Sequence, residues 1–295
     1  MNVAEGTPLN FGGIEPEFSE WDRSKITVVP VPYDLTTTYV SGTRNGPRAI
    51  IEASTNMELY DEELKKETYR VGIYTREPLA VTEKKPKEML RVVSEAVSQG
   101  VSSGKFQVVV GGEHSISLGV VRELVKRYPR LSVLHLDAHA DLRESYQGTP
   151  YSHACAARRI SECCTIVQVG VRSMSKEEAD FLASSKIVSI SDYEIKQNAQ
   201  WAEKVIDHLT DEVYLTFDLD VLNPAIMPAV GTPEPGGLSW YETIGLLRLV
   251  SQRKKMVSCD VVELCPLSGN VAPDFMAAKL MYRIMGYVAE REGWI

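Results

Sequence analysis

The chain alternates between short, continuous apolar runs and longer segments in which apolar positions recur every three or four residues. The short runs are Ile26 to Val31, Val71 to Tyr74, Phe106 to Val110, Leu131 to Leu136, Thr165 to Val169, Ile187 to Ile190, Glu212 to Phe217 and Met256 to Val262. Their length and β-branched content predict strands buried on both faces. Gly46-Pro47 opens a helical pattern through Ile50, Ile51 and Met57, with proline in the first turn. Helical spacing recurs over 85–103, Leu118 to Val125, 153–162, Glu177 to Ser185, Trp201 to Leu209, Trp240 to Val250 and Phe275 to Glu290. Ser115 is placed to cap the helix that carries Leu118. The Pro/Gly-rich stretch from Asn223 to Leu238 is excluded from regular structure. Strands alternating with helices imply an α/β fold around a parallel sheet covered on both faces. No repeat or linker divides the chain, so one domain is expected over 26–295. Residues 1–25, polar and mixed, read as an N-terminal arm lying on the body or on a neighbouring subunit.

In open parallel sheets, ligands gather at the carboxyl ends of the strands. The polar clusters of this chain fall there. His114 follows the Phe106 run, Asp137-Ala-His139-Ala-Asp141 ends the Leu131 run, Asp218 and Asp220 end the Glu212 run, and Glu263 ends the Met256 run. If the backbone stays extended, Asp137, His139 and Asp141 project to one face, and so do Asp218 and Asp220. Taken singly, each of these is as well read as a solvated turn or a hydrogen-bonded structural histidine. Together they place six candidate ligands, His114, Asp137, His139, Asp141, Asp218 and Asp220, in one crevice. Four carboxylates balance two divalent ions rather than one. Oxygen-rich ligation with two imidazoles and no thiolate favours a harder ion such as Mn²⁺ over structural zinc. Two such ions, roughly 3.5–4 Å apart, lower the pKa of a shared water and support metal-assisted hydrolysis. His135 lies one step deeper on the face of Asp137 and reads as a core histidine or a support behind the ligands. His208 reads as a surface residue.

Composition narrows this picture without redirecting it. The chain has 295 residues, 44% hydrophobic and 24% charged, an ordinary globular balance. The net charge of -8 argues against nucleic acid and suits a cationic ligand. Five cysteines, at 155, 163, 164, 259 and 265, form no C-x-x-C pair and read as reduced thiols of a cytoplasmic protein. No signal peptide or membrane span is expected.

Three motifs then carry a resemblance. Gly-Gly-Glu-His-Ser at 111–115, Leu-Asp-Ala-His-Ala-Asp at 136–141 and Phe-Asp-Leu-Asp-Val-Leu-Asn-Pro at 217–224 resemble the ureohydrolases, the arginase and agmatinase family. Gly231 to Gly237 and Ser41 to Arg48 are more similar to agmatinases than to arginases. The resemblance runs from about residue 26 to the C-terminus. It implies a three-layer α/β/α sandwich with a mostly parallel eight-stranded sheet, and a homo-oligomer, usually trimeric or hexameric. It implies two manganese ions per chain. His114, Asp137, Asp141 and Asp218 would hold one; Asp137, His139, Asp218 and Asp220 would hold the other, with Asp137 and Asp218 bridging. It also implies that a bridging hydroxide attacks the guanidinium carbon of the substrate. Glu263 matches the glutamate that holds the guanidinium, and a carboxylate suits that planar cation through a bidentate pair. His153 matches the histidine that shuttles a proton to the leaving amine, a role open to imidazole near neutral pH. Asn223 departs from the aspartate common in the family, outside the ligand set.

The substrate expected is a small cationic guanidine, agmatine before guanidinobutyrate or arginine, with putrescine and urea as products. The loop from Leu142 to Ser152 is similar to the agmatinase version. Glu144 is expected near the pocket mouth, facing the ammonium end of agmatine. Arg143 or Arg172 would instead serve a carboxylate end, although a structural or solvated role is the simpler reading of both. A deacetylase-like amidohydrolase and a non-catalytic relative are the competing classes.

Overall fold

All eight expected strands form, and they pair into one sheet. The structure, a computed structural model, describes residues 9–295. The first eight residues of the expected N-terminal arm lie outside the described residues. In chain order the strands are β1 (Ile26–Val31), the short hairpin β2 (Tyr60–Asp61) and β3 (Lys66–Glu67), β4 (Ile73–Thr75), β5 (Phe106–Gly111), β6 (Ser132–Leu136), β7 (Thr165–Val169), β8 (Val188–Ile190), β9 (Glu212–Asp218) and β10 (Lys255–Val262). The large sheet runs β4-β1-β5-β10-β9-β6-β7-β8, and every neighbouring pair in it is parallel. The hairpin stands apart as a second, antiparallel sheet.

The helices are α1 (Pro16–Ser19), α2 (Gly46–Ser54), α3 (Pro86–Ser103), α4 (Ser117–Arg127), α5 (Ala156–Ser161), α6 (Lys176–Ser184), α7 (Asp192–Gln197), α8 (Trp201–His208), α9 (Trp240–Arg253) and α10 (Ala272–Arg291). They cover the sheet on both sides. Alternate strand residues divide between two cores: Ile26 and Val28 of β1 pack in one, Val29 and Val31 in the other. The first core receives Ile50 of α2, Val205 of α8, Leu246 and Leu247 of α9, and Met281 and Ile284 of α10. The second receives Met89 and Val93 of α3, Val121 and Leu124 of α4, and Ile160 of α5. Each such side chain, taken fully out of water, contributes about 1.5–3 kcal/mol. The result is the three-layer arrangement expected from the sequence. Phe11 and Ile14 of the N-terminal segment are buried in the first core.

Three local expectations are corrected, and helix α7 was not expected. Helix α2 ends at Ser54, short of Met57. Val71 sits in a 3-10 turn, and β4 begins only after Gly72, whose φ of 81° breaks the strand. Helix α7 follows a serine cap at Ser191 that went unread. Ser115 does not cap α4; its hydroxyl donates to the buried Glu113 carboxylate instead.

The topology matters for the site through its middle. The four adjacent strands β5, β10, β9 and β6 end side by side. Their ends carry His114, Glu263, Asp218 with Asp220, and Asp137 to Asp141. Gly112, just past β5, is packed so tightly that a Cβ there would lie 1.9 Å from the Tyr33 carbonyl oxygen. Only glycine lets the chain leave β5 and pass under the end of β1.

Candidate metal centre and its cavity

The ligand-bearing segments leave the sheet before they reach their ligands. β6 stops at Leu136, and Asp141 adopts a left-handed backbone with φ 52°. β9 stops at Asp218, and Leu219–Val221 is a 3-10 turn in which Asp218 Oδ1 accepts from the Asp220 N–H at 2.9 Å. The side chains therefore converge through turns rather than through the strand alternation expected. Gln168 ties the first turn down by donating to the Ala140 carbonyl at 2.7 Å. Ala138 and Ala140 are both buried against it.

All six expected ligands meet. His114 Nδ1 lies 2.9 Å from Asp137 Oδ2, 3.3 Å from Asp141 Oδ2 and 3.3 Å from Asp218 Oδ2. His139 Nδ1 lies 2.8 Å from Asp220 Oδ2 and 3.6 Å from Asp137 Oδ1. Asp137 thus offers one oxygen to each histidine, and it belongs to both groups of ligand atoms that lie within 4.8 Å of one another. The first of these groups is His114, His135, Asp137 and Asp141, and the second Asp137, His139 and Asp220. Asp218 falls in neither and approaches their ligand atoms at His114 Nδ1.

The electrostatics of this cluster demand a cation. Burial raises the pKa of Asp141 to about 7, with the charge of Asp137 adding to the rise. Burial, then Asp220 and Asp137, carry Asp218 well above the carboxylate range, and burial, then Asp137, raises Asp220. Burial opposes charge on His139, but Asp220 and Asp137 overcome it and lift the imidazole to about 12. Protons would gather wherever no other positive charge is supplied. Three buried atoms in the midst of this, His114 Nδ1, His135 Nε2 and Asp137 Oδ2, make no hydrogen bond although both imidazole nitrogens face the carboxylate oxygen. The lone pairs of His114 Nδ1 and Asp137 Oδ2 aim at a shared point, which fits a metal ion. The two-group geometry around Asp137 fits a pair.

Behind the ligands lies a layer that hydrophobic pattern alone did not reveal. His114 Nε2 donates to Thr216 Oγ1 at 2.9 Å, and Thr216 donates to Asp260 Oδ1 at 2.7 Å. Asp260 also accepts from the Tyr214 hydroxyl. This chain keeps Nδ1 of His114 free to face the cluster. The visible signal was an aspartate within the apolar run Met256 to Val262. His135 stacks on His114, with ring centroids 4.8 Å apart and planes 6° from parallel. Its Nε2 is 3.4 Å from Asp137 Oδ2, and burial lowers its pKa to about 3, so it is a neutral support rather than a charge.

A cavity of about 270 Å³ opens over the cluster. Glu263 and His153 both line it. Glu263 has a left-handed backbone, φ 67°, and its Oε1 accepts from the His114 N–H at 2.7 Å. Burial, with Glu113 nearby, raises its pKa well above normal. Burial, with charge on His114 and His139 adding to the effect, lowers the pKa of His153 to about 4. Arg143 and Tyr146 form part of the rim, the guanidinium 5.2 Å from the ring centre. Glu144 corrects an expectation. It is paired with Arg158 at 2.6 Å and Arg159 at 3.1 Å on the outer surface, so its charge is spent there and not on the cavity. Arg172 donates to the carbonyls of Gly170, Val221, Asp220, Leu222 and Glu234, a structural tie. His208 is exposed. No helix among the described residues is long and apolar enough to cross a membrane.

The chain is similar in sequence and fold to known proteins. The profile of the arginase family matches residues 24–286. An N(1)-aminopropylagmatine ureohydrolase of a Synechocystis species is 40% identical over 275 residues, covering 90% of each chain. An enzyme of the same name from Thermus thermophilus is 34% identical over 276 residues, 93% of this chain and 94% of the relative. The crystal structure of the agmatine ureohydrolase of Thermoplasma volcanium superposes with a TM-score of 0.85 at 32% identity, covering 94% of this chain and 93% of that one.

Proposed function

The chain belongs to the arginase family, and we propose that it hydrolyses a linear guanidine whose far end is an amine. As a member of that family it is a hydrolase of carbon–nitrogen bonds in linear amidines, with a binuclear metal centre. The observation that supports a guanidine as substrate is the pairing of that centre with Glu263 in the lining of one cavity, and the names of the relatives support the amine at its far end. Between agmatine and its N1-aminopropyl derivative we favour the longer substrate, because the relatives at 40% and 34% identity bear its name. The products would then be urea and the triamine left when the amidino group is removed.

In this reading His114, Asp137, Asp141 and Asp218 hold one ion, and Asp137, His139, Asp218 and Asp220 hold the other, with manganese as the metal. When bound, such a pair supplies an activated water near neutral pH and neutralises developing charge. Glu263 holds the guanidinium through paired hydrogen bonds and turns its carbon towards the centre. His153, neutral in the resting enzyme, carries a proton to the leaving amine. The cytoplasm as compartment and a trimer or hexamer as assembly belong to the same proposal, and light scattering tests the latter.

One observation favours a second reading. Arg143 lines the cavity and would suit a carboxylate-ended guanidine such as guanidinobutyrate. A substrate panel with manganese present, followed by urea release, separates the two. The expected order is N1-aminopropylagmatine, then agmatine, then guanidinobutyrate and arginine. Fastest turnover of guanidinobutyrate would overturn the amine-ended assignment.

A further inference from the structure

The cavity wall contains a buried relay that the metal centre does not use. Glu113 is fully buried. Its Oε2 accepts from the Thr36 backbone N–H at 2.6 Å. Its Oε1 accepts from the hydroxyls of Thr36 and Ser115, each at 2.5 Å. Thr36 has a single hydroxyl proton, and that proton is committed to Glu113. Its oxygen is left as an acceptor. It takes the His153 backbone N–H at 3.1 Å and lies 3.4 Å from Nδ1 of the His153 ring. Ser152 Oγ lies 3.1 Å from the same Nδ1. Across the ring, Thr38 in the cavity wall places its hydroxyl 3.3 Å from Nε2.

Of these contacts only that of Thr36 has a fixed direction, since its proton is on Glu113; the Ser152 and Thr38 hydroxyls can turn to accept or donate. An acceptor next to Nδ1 keeps a proton on that nitrogen, and a hydroxyl next to Nε2 is free to donate to it. The relay is also anchored at its far end. Glu113 N–H donates to the Tyr33 carbonyl at 2.7 Å, and Gly112 N–H to the Val31 carbonyl at 3.0 Å. The loop after β1 and the turn after β5 are therefore tied to each other, and His153 is tied to them through Thr36.

We propose that Glu113 and Thr36 are positioning residues that hold His153 in the Nδ1–H form, so that Nε2 is the nitrogen exchanging a proton with the substrate. This rests on the reading of His153 as the proton carrier. Neither residue touches the reacting atoms. Their effect passes through a carboxylate–hydroxyl–imidazole chain, which orders a ring without charging it.

The test is Thr36→Val, which keeps the side-chain shape and removes the hydroxyl, with Thr36→Ser as the conservative control and Glu113→Gln as a second interruption. In ring-¹⁵N-labelled enzyme loaded with diamagnetic zinc, His153 is assigned by its loss in His153→Asn. The unsubstituted enzyme and Thr36→Ser should show a protonated Nδ1, and Thr36→Val should shift population to protonated Nε2. With manganese, Thr36→Val should lower kcat roughly tenfold to a hundredfold, with KM and metal content unchanged. In the His153→Asn background the same substitution should cost nothing further. An unchanged His153 tautomer in Thr36→Val, or an equal loss of kcat with and without His153, would overturn the relay. Full turnover by His153→Asn would instead overturn the proton-carrier role and leave the tautomer measurement standing.

Discussion

The floor of the cavity and its rim are built by different means. The floor is made at the ends of four adjacent central strands, and its ligands are buried, with only His139 partly exposed. The rim is made by loops that carry Thr38, Val40, Arg143, Tyr146 and Thr232. The strands beneath are held by hydrogen bonds to both neighbours, and the short turns that carry the ligands are tied back to them, as the Ala140 carbonyl is by Gln168 of β7. Loops answer only to their own turns and anchors. The reaction type is written where the backbone is rigid, and the choice of substrate where it is not.

Substitutions can break this contrast or sharpen it. The largest effect belongs to Asp137→Asn, since Asp137 faces both histidines. Urea release should fall on the order of 10³-fold or more, with metal content per chain reduced. Two retained ions with substantial turnover would deny Asp137 its shared position. Next comes Glu263→Gln. Weakening a buried charge pair by about 2–4 kcal/mol corresponds to roughly 30- to 1,000-fold in kcat/KM, with both ions still bound. Metal loss in this variant would move Glu263 from substrate to centre. Asp260→Asn, behind His114, should weaken metal binding about 10- to 100-fold, read by titration with a competing chelator.

The rim should respond in selectivity rather than rate. Arg143→Ala removes a cation from the wall, so the ratio of amine-ended to carboxylate-ended substrates should rise by about tenfold in kcat/KM. An unchanged ratio would place Arg143 outside substrate contact. The smallest effect is expected from Glu144→Gln. Its ion pairs with Arg158 and Arg159 lie at the surface, so thermal melting should register less than about 1 kcal/mol. The substrate panel should not change at all; a shift would restore Glu144 to the cavity.

Legibility follows the same division. That the six candidate ligands would share one crevice was readable, because acidic and imidazole groups stood at the ends of several apolar runs and a parallel sheet brings such ends together. Their exact route was not readable, because the left-handed turn at Asp141 and the 3-10 turn after Asp218 carry no signal in hydrophobic pattern. The Thr216–Asp260 support was half visible, as a charge inside a buried strand. Glu113 was read only as one letter of a glycine-rich motif, since its partner Thr36 stands 77 residues away. Glu144 was misplaced for the converse reason. Arg158 and Arg159 approach it only once α5 has folded, and sequence spacing gives no hint of which charge is already engaged.

The position of β10 carries a consequence for how the molecule comes into being. It is the final strand of the described chain, yet it lies between β5 and β9 in the middle of the sheet. A polypeptide emerging from the ribosome therefore completes the outer strands first and holds a gap where β10 belongs. Closing that gap is a long-range event, slow by the standards of local folding and open to aggregation until it happens. Glu263 arrives with the same strand, so the newborn chain has no binding floor until its sheet is whole.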